Sequence, residues 1–249
     1  MKKNSSVFAM IARSSLYKNL LVMLLMAAAQ IILFLLKLQD YENIGLWTLT
    51  GTVKDSYMII PLIVGFLLIS IFLGRTGCHP GSKQVYLLSR LQISEYYIIG
   101  LQSLYNFICY MIFWAVEVMV LVGAGLIYAQ RAADFTDHTL VLAFYSNKLM
   151  HTILPMRDIL GWLLLASMFA GFAVYLALFS YRHRHSSQNG LVVTAAFLGL
   201  AFASFPRGMG TTRDFVTPFI MIALHAILLN ELKKIKTKEE EHEQAENKG

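Results

Sequence analysis

Two ionisable side chains lie within long apolar runs of the sequence, where a charge is costly. Glu117 follows Phe113-Trp-Ala-Val, and His225 ends the run Phe219-Ile-Met-Ile-Ala-Leu-His. A carboxylate in hydrocarbon costs roughly 3 kcal/mol or more unless it is protonated, paired or facing water. The two residues indicate either a polar contact or protonation switch in a transport path, or a neutral Glu117 that hydrogen-bonds within the helix bundle. The sequence leaves both open, with His225 as a plausible partner of Glu117.

Two histidines separated by one residue suggest a metal site on composition alone. His183 and His185 lie in the run Tyr181-Arg-His-Arg-His-Ser-Ser-Gln-Asn-Gly. No third ligand follows nearby, and the alternating arginines would repel a cation. We therefore predict no metal here, and interpret the segment as a short basic loop whose contact residues are Arg182, His183 and Arg184.

The sequence lacks the motifs of the common catalytic centres. The run Gly77-Cys-His-Pro-Gly-Ser-Lys has the wrong order for a phosphate-binding loop. No His-Glu-x-x-His, Gly-x-Ser-x-Gly or Cys-x-x-Cys pattern occurs. We expect no catalytic residues and no cofactor in this chain, so that any energy it uses comes from a partner.

The composition indicates that lipid surrounds much of the chain. Of its 249 residues, 57% are hydrophobic and 14% charged, and the mean hydropathy is +0.57. Soluble domains carry roughly a quarter charged residues. The net charge of +6 is better explained by anionic lipid than by nucleic acid, which we do not expect as a partner. The sequence predicts an all-α membrane protein.

Six segments are apolar and long enough to be spans. They are residues 20–36, 57–73, 107–128, 159–179, 191–205 and 215–229. The last two are short and could be full spans or a partly re-entrant pair. Gly123 and Gly125 in the third span are expected to permit close helix packing.

The distribution of lysine and arginine predicts that both termini are cytoplasmic, in a multi-pass protein of the plasma membrane. This orientation places 14 basic residues inside and seven outside, or nine against seven without the tail. Apolar residues at helical spacing before the first span predict an interfacial N-terminal helix. Residues 1–232 form one membrane domain, followed by a charged tail at 233–249. The external segment 130–157 is expected to contain an interfacial helix.

The inner loop between the second and third spans, residues 75–100, is too apolar for a free loop and too polar for a span. Its centre reads Val85-Tyr-Leu-Leu-Ser-Arg-Leu-Gln-Ile-Ser-Glu-Tyr-Tyr-Ile-Ile-Gly-Leu. A short helix followed by a second helix that leads into the membrane fits this pattern. On the inner face, such an element could receive force from a partner.

The chain resembles the permease subunits of ABC-2-type ABC transporters in four features: this loop, six spans, cytoplasmic termini and an interfacial N-terminal helix. The resemblance implies a type V exporter-like architecture. In that family the loop often reads Leu-Pro-[Ile/Val]-Ser-Arg before an aromatic lead into the third helix. Here Gln92 stands where proline is common, Glu95 where a basic residue is common, and Leu101 where lysine is frequent.

The resemblance implies that the loop docks on a separate ATP-binding subunit, present in two copies and carrying ATP and Mg²⁺. The implied coupling residues are Val85, Tyr86, Leu88, Ser89, Arg90, Gln92, Ser94 and Glu95. Arg182–Ser187 would make a second contact. A second permease, the same or a related chain, would complete the complex, which would export a peptide, antibiotic or lipid-like substrate.

Two other functions remain open. A sensor or immunity protein of the same fold could bind an antimicrobial peptide at Asp134–Arg157 without moving it. An intramembrane enzyme would require polar residues that converge within the bilayer, and the chain offers Glu117 and His225 for that role.

Overall fold

The computed structural model describes residues 2–44, 48–75, 94–131, 137–156, 158–185, 199 and 212–246, and over these ranges the chain is helical with no strand. We number the described helices along the chain as α1 (Lys2–Ile44), α2 (Leu49–Asp55), α3 (Ile59–Gly74), α4 (Glu95–Arg131), α5 (Asp137–Ser146), α6 (Lys148–Ile153), α7 (Ile159–Arg184) and α8 (Thr212–Glu246). The predicted all-α class is confirmed.

Helix α1 is longer than the sequence pattern suggested. A separate interfacial helix was expected before the first span, but α1 runs unbroken through 43 residues. The physical reason is that neither glycine nor proline occurs between Lys2 and Ile44, so nothing interrupts the backbone hydrogen bonds. At about 1.5 Å per residue, α1 is roughly 65 Å long, about twice the hydrocarbon thickness of a bilayer.

The third and last predicted spans are also parts of longer helices. Helix α4 begins at Glu95, so the last six residues of the predicted inner loop 75–100 form its first turns, where a helix leading into the membrane was expected. Helix α8 continues through the basic tail to Glu246. Within segment 130–157, where the sequence predicts an interfacial helix, the described residues form two short helices, α5 and α6.

Within the described residues, four helices are long and apolar enough to cross a membrane. The qualifying stretches are Ser15–Asp40, Glu95–Arg131, Ile159–Arg184 and Val216–Glu241. Helices α2 and α3, bent by 54° at their joint, together make a possible fifth span. Tyr57 at this joint has φ 56°, a left-handed conformation that redirects the chain. The predicted span 191–205 lies outside the described residues, apart from Gly199.

Paired contacts show that α1 and α4 run parallel. The Ser15 and Tyr105 hydroxyls lie 2.9 Å apart near the start of both helices. Further along both helices, Gln30 Nε2 lies 3.0 Å from Glu117 Oε1. Helix α3 is antiparallel to α1, since Gln30 reaches the carbonyl of Met58 just before α3, whereas Met26, earlier in α1, packs against Gly65 further along α3.

Helix α7 is antiparallel to α4 and parallel to α8. The Trp114 and Trp162 rings lie 5.5 Å apart near the start of α7, whereas Arg184 at its end contacts Glu95 at the start of α4. Along α8, Leu224 packs against Gly171 of α7. An ion pair from Arg182 to α8 follows further along both helices.

These directions give the bundle two ends. Where α1 begins and α8 ends, Ile11, Ile99, Leu178 and Ile235 belong to the larger hydrophobic cluster, and we call this the junction end. At the opposite end, which we call the cavity end, a second cluster joins α1, α2, α4, α5 and α6. The start of α1 and the end of α8 therefore lie at the same end of the molecule.

Candidate functional site

An ion-paired cluster at the junction end connects three helices, and we call it the coupling junction. Arg184 Nη2 of α7 lies 3.1 Å from Glu95 Oε2 of α4. Arg182 of α7 pairs with Glu231 of α8. The Arg184 side chain is 7% exposed and that of Glu95 31%, so the guanidinium is shielded from water whereas the carboxylate is partly accessible. Glu95, from the first contact that the resemblance implies, and Arg182 and Arg184, from the second, therefore lie in one cluster.

The first turn of α4 is capped by a carboxylate from the far end of the chain. Glu239 Oε2 accepts a hydrogen bond from Ser94 Oγ at 2.7 Å. Its Oε1 accepts from the backbone N–H of Tyr96 at 3.2 Å and from that of Glu95. The first N–H groups of a helix have no partner within it, and a negative charge there interacts favourably with the helix dipole. The long α8 thus stabilises the start of α4.

The coupling junction contains the last two of the implied coupling residues. Ser94 and Glu95 belong to it, whereas the predicted coupling residues Val85, Tyr86, Leu88, Ser89, Arg90 and Gln92 lie outside the described residues. His183 is exposed and its ring lies 6.2 Å from that of Phe179. No group of three or more potential metal ligands occurs among the described residues.

Glu117 makes a different contact from the one expected. Its Oε1 accepts a hydrogen bond from Gln30 Nε2 of α1, and both side chains are completely buried. His225 instead places Nδ1 2.9 Å from the carbonyl oxygen of Met221, one turn earlier in α8. The expected pairing of Glu117 with His225 is therefore wrong. Glu117 does form a hydrogen bond between helices, with Gln30 as the partner.

Gln30 was missed by the sequence interpretation, although a signal for it existed. It is the one polar residue in the apolar run 20–36, as Glu117 is in its own run. On the same helix, Ser15 and Asn19 contact Tyr105 and Cys109 of α4. Polar side chains that face a neighbouring helix rather than lipid thus connect α1 to α4 along their length.

A cavity of about 680 Å³ lies toward the cavity end, between α3, α4, α6 and α7. Its inner wall is apolar and includes Leu62, Phe66, Phe113 and Phe169, among other residues. Polar lining residues come from α2, α5 and α6 with their flanks: Thr50, Lys54, Ser146, Asn147, Lys148 and Thr152. The cavity is thus apolar inside and basic at its rim.

The rim of the cavity is held by an asparagine that caps α6. Asn147 Oδ1 accepts hydrogen bonds from the backbone N–H groups of Leu149 and Met150, at 3.0 and 3.2 Å. Its Nδ2 donates to the carbonyl of Thr50 at 3.1 Å, which connects α6 to α2. The two short helices that carry Lys54 and Lys148 are therefore fixed relative to each other.

Comparison with known proteins found no matching family model, no matching curated protein and no matching solved structure.

Proposed function

We propose that this chain is the membrane-embedded permease subunit of an ATP-driven transporter of the ABC-2 type. The observation that supports this best is the coupling junction, where two of the implied coupling residues are held by other helices: Ser94 is bound to α8 and Glu95 to α7. A partner that pushes on the loop would move three helices together rather than one. The second predicted contact, Arg182–Arg184, is part of the same unit.

The physical chemistry of the junction suits transmission of force. Removing one partner of a buried ion pair typically costs about 3–5 kcal/mol, because a charge is left without compensation. Separating α4 from α7 would incur a cost of this kind at Glu95 and Arg184. The helices therefore move as a unit when the ATP-binding subunits close, and their motion switches the pathway between two permeases from inward-facing to outward-facing.

The directions of the helices support the proposed six spans. Helices α7 and α8 run parallel, and Thr212 lies level with Ile159, each about 18 Å before the contact between Gly171 and Leu224. The chain must therefore return from the junction end to the cavity end between Arg184 and Thr212. This return supports a span in that connection, as the sequence predicts for 191–205.

The charges of the described residues support a cytoplasmic junction end. Basic residues at this end are Lys2, Lys3, Arg13, Lys18, Arg75, Arg182, Arg184, Lys233, Lys234, Lys236 and Lys238, against Lys37, Lys54, Arg131, Lys148 and Arg213 at the cavity end. With this orientation, both termini are cytoplasmic in the plasma membrane and the docking loop faces a cytoplasmic ATPase.

The proposed complex contains two ATP-binding subunits, which carry ATP and Mg²⁺, and a second permease. Neither alternative function is favoured by a specific contact. Glu117 and His225 have separate partners, so they do not form the converging pair that an intramembrane enzyme needs. The segment that a sensor would use for a peptide is occupied in part by packing against α2.

Co-purification with the product of a neighbouring ATPase gene tests the proposal. The chain alone should hydrolyse no ATP, and the complex should hydrolyse it. The matched variant Glu95→Gln should reduce this activity, whereas Glu240→Gln, an exposed position of α8, should leave it unchanged. A chain that retains transport activity with no ATP-binding subunit bound would contradict the proposal.

A further inference from the structure

The cavity between α3, α4, α6 and α7 has an apolar inner part and a basic rim, a combination that suits one class of ligand. The side chains Leu62, Phe66, Phe113 and Phe169 surround its inner part. From Ile59 at the outer start of α3 to Phe66, the helix rises by about 10 Å. The cavity therefore extends well into the bundle, and its volume of about 680 Å³ is typical of small-molecule sites, which span roughly 300–1,000 Å³.

Water is a poor occupant of the inner part. An ordered buried water needs about two to four polar partners, and cavities lined by leucine and phenylalanine stay dry. A hydrocarbon chain gains van der Waals contact with the same side chains and loses no hydrogen bonds. The inner part therefore selects an apolar segment of a ligand.

The rim adds a positive charge from two directions. Lys54 comes from α2 and Lys148 from α6, and both line the cavity. Among the described residues, no carboxylate lies within ion-pair distance of either ammonium group. The polar side chains between them are already engaged, since Asn147 caps α6 and the Thr50 and Ser146 hydroxyls lie 3.3 Å apart. The two lysines are thus the groups available to a ligand.

We propose that the cavity is a binding site for an anionic amphiphile, with a hydrocarbon chain between α3 and α7 and a phosphate or carboxylate head group at Lys54 and Lys148. Two sources share this chemistry: an anionic phospholipid of the bilayer with one chain inserted, and a free single-chain amphiphile. The site is formed by this chain alone and does not depend on the coupling proposal, because binding requires no ATPase.

The test measures equilibrium binding to the full-length protein in phosphatidylcholine nanodiscs, corrected for empty nanodiscs. Radiolabelled decyl phosphate is the probe, and decyltrimethylammonium has the same chain with the opposite charge. We expect decyl phosphate to bind at least tenfold more tightly. Equal affinity for the two head groups, or no binding above empty nanodiscs, would overturn the proposal without affecting co-purification with an ATPase.

Matched charge variants locate the head group. The double variant Lys54→Glu/Lys148→Glu should weaken decyl phosphate binding by at least tenfold. The control Lys233→Glu/Lys238→Glu changes the net charge equally at exposed positions of α8 and should change binding less than twofold. Equal effects of the two double variants would mean that general electrostatics, and not the rim, attracts the probe.

A filled cavity tests the position of the chain. Ile63→Trp places a large ring in the cavity wall, whereas Leu67→Trp, one turn further along α3, adds the same ring at a lipid-exposed position outside the lining. Only the first should abolish binding, and wild-type elution on size exclusion shows that both variants fold. Equal binding by the two variants would overturn the proposal.

Nanodiscs containing phosphatidylglycerol distinguish the two sources. If decyl phosphate binding falls as the phosphatidylglycerol fraction rises, the occupant is a bilayer lipid. If binding persists, the occupant is a free single-chain amphiphile. Both results support an anionic amphiphile site.

Discussion

The ion pair between Glu95 and Arg184 allows a quantitative prediction about the coupling junction. At 3.1 Å and an effective dielectric constant of about 20, the attraction between the two charges is roughly 5 kcal/mol, offset by the desolvation of both groups. The exposures are unequal, since the side chain of Glu95 is 31% exposed and that of Arg184 is 7% exposed. The arginine therefore depends on its partner more than the glutamate does.

This asymmetry predicts unequal costs for the two single variants. Glu95→Gln leaves a buried guanidinium without a counter-charge and should lower the free energy of unfolding by about 3 kcal/mol. Arg184→Met replaces the buried cation with an apolar side chain and leaves a carboxylate that water can reach, so it should cost about 1 kcal/mol. The double variant should also cost about 1 kcal/mol, which gives a coupling energy of about 3 kcal/mol.

The assay is unfolding of the purified protein by sodium dodecyl sulfate in mixed micelles, followed by the loss of helical circular dichroism. The exposed pair Lys236–Glu240, at 3.7 Å, is the control, and its coupling energy should stay below about 0.5 kcal/mol. A double variant whose cost equals the sum of the two single costs would refute the reasoning, because the two charges would then act independently.

Three further predictions concern contacts elsewhere in the bundle. Glu117→Gln keeps an acceptor for Gln30 Nε2 and should change unfolding in the same assay by less than about 0.5 kcal/mol, whereas Glu117→Leu should cost about 1 kcal/mol; equal costs would argue against the hydrogen bond. Glu239→Ala removes the cap of α4 and should speed amide hydrogen exchange at Glu95 and Tyr96 about five- to thirty-fold, which corresponds to a loss of roughly 1–2 kcal/mol. Glu240→Ala, the control, should leave these exchange rates unchanged. A Cβ at Gly125 would overlap the end of the Leu140 side chain, which must change its rotamer, so Gly125→Ala should cost about 1 kcal/mol in detergent unfolding. Gly123→Ala, with open space around it, should be neutral or slightly stabilising, and similar effects of the two variants would contradict the packing account.

The apolar pattern alone was sufficient to find the helices that could span a membrane. Hydrophobic runs report where a helix can lie in lipid, and the runs in α1, α4, α7 and α8 were all recognised. The pattern does not report where a helix ends. Helix α1 continues over Lys2–Ile44 because nothing in its sequence stops it, and an amphipathic segment has the same periodicity whether it is separate or continuous.

The contacts of the candidate site depended on information that a single sequence does not contain. Nothing in the local sequence of α4 indicates that its cap comes from Glu239, 144 positions away in the chain. To identify Gln30 as the partner of Glu117, one must know how α1 and α4 are rotated about their axes relative to each other, and tertiary packing determines that rotation. Gly125 was predicted to allow close packing and does so against Leu140, whereas Gly123 has open space around it, because the two residues face different neighbours.

Crosslinking at the docking loop tests the central proposal most directly. A photoreactive phenylalanine analogue is placed at Tyr86, in the predicted docking loop, or at Tyr145 of α5, at the opposite end of the bundle, in cells that express the chain at its native level. We predict that irradiation joins position 86, and not position 145, to an ATP-binding subunit identified by mass spectrometry. Absence of that subunit from the products at position 86, or equal capture at both positions, would contradict the proposal that this chain is an ATP-driven permease.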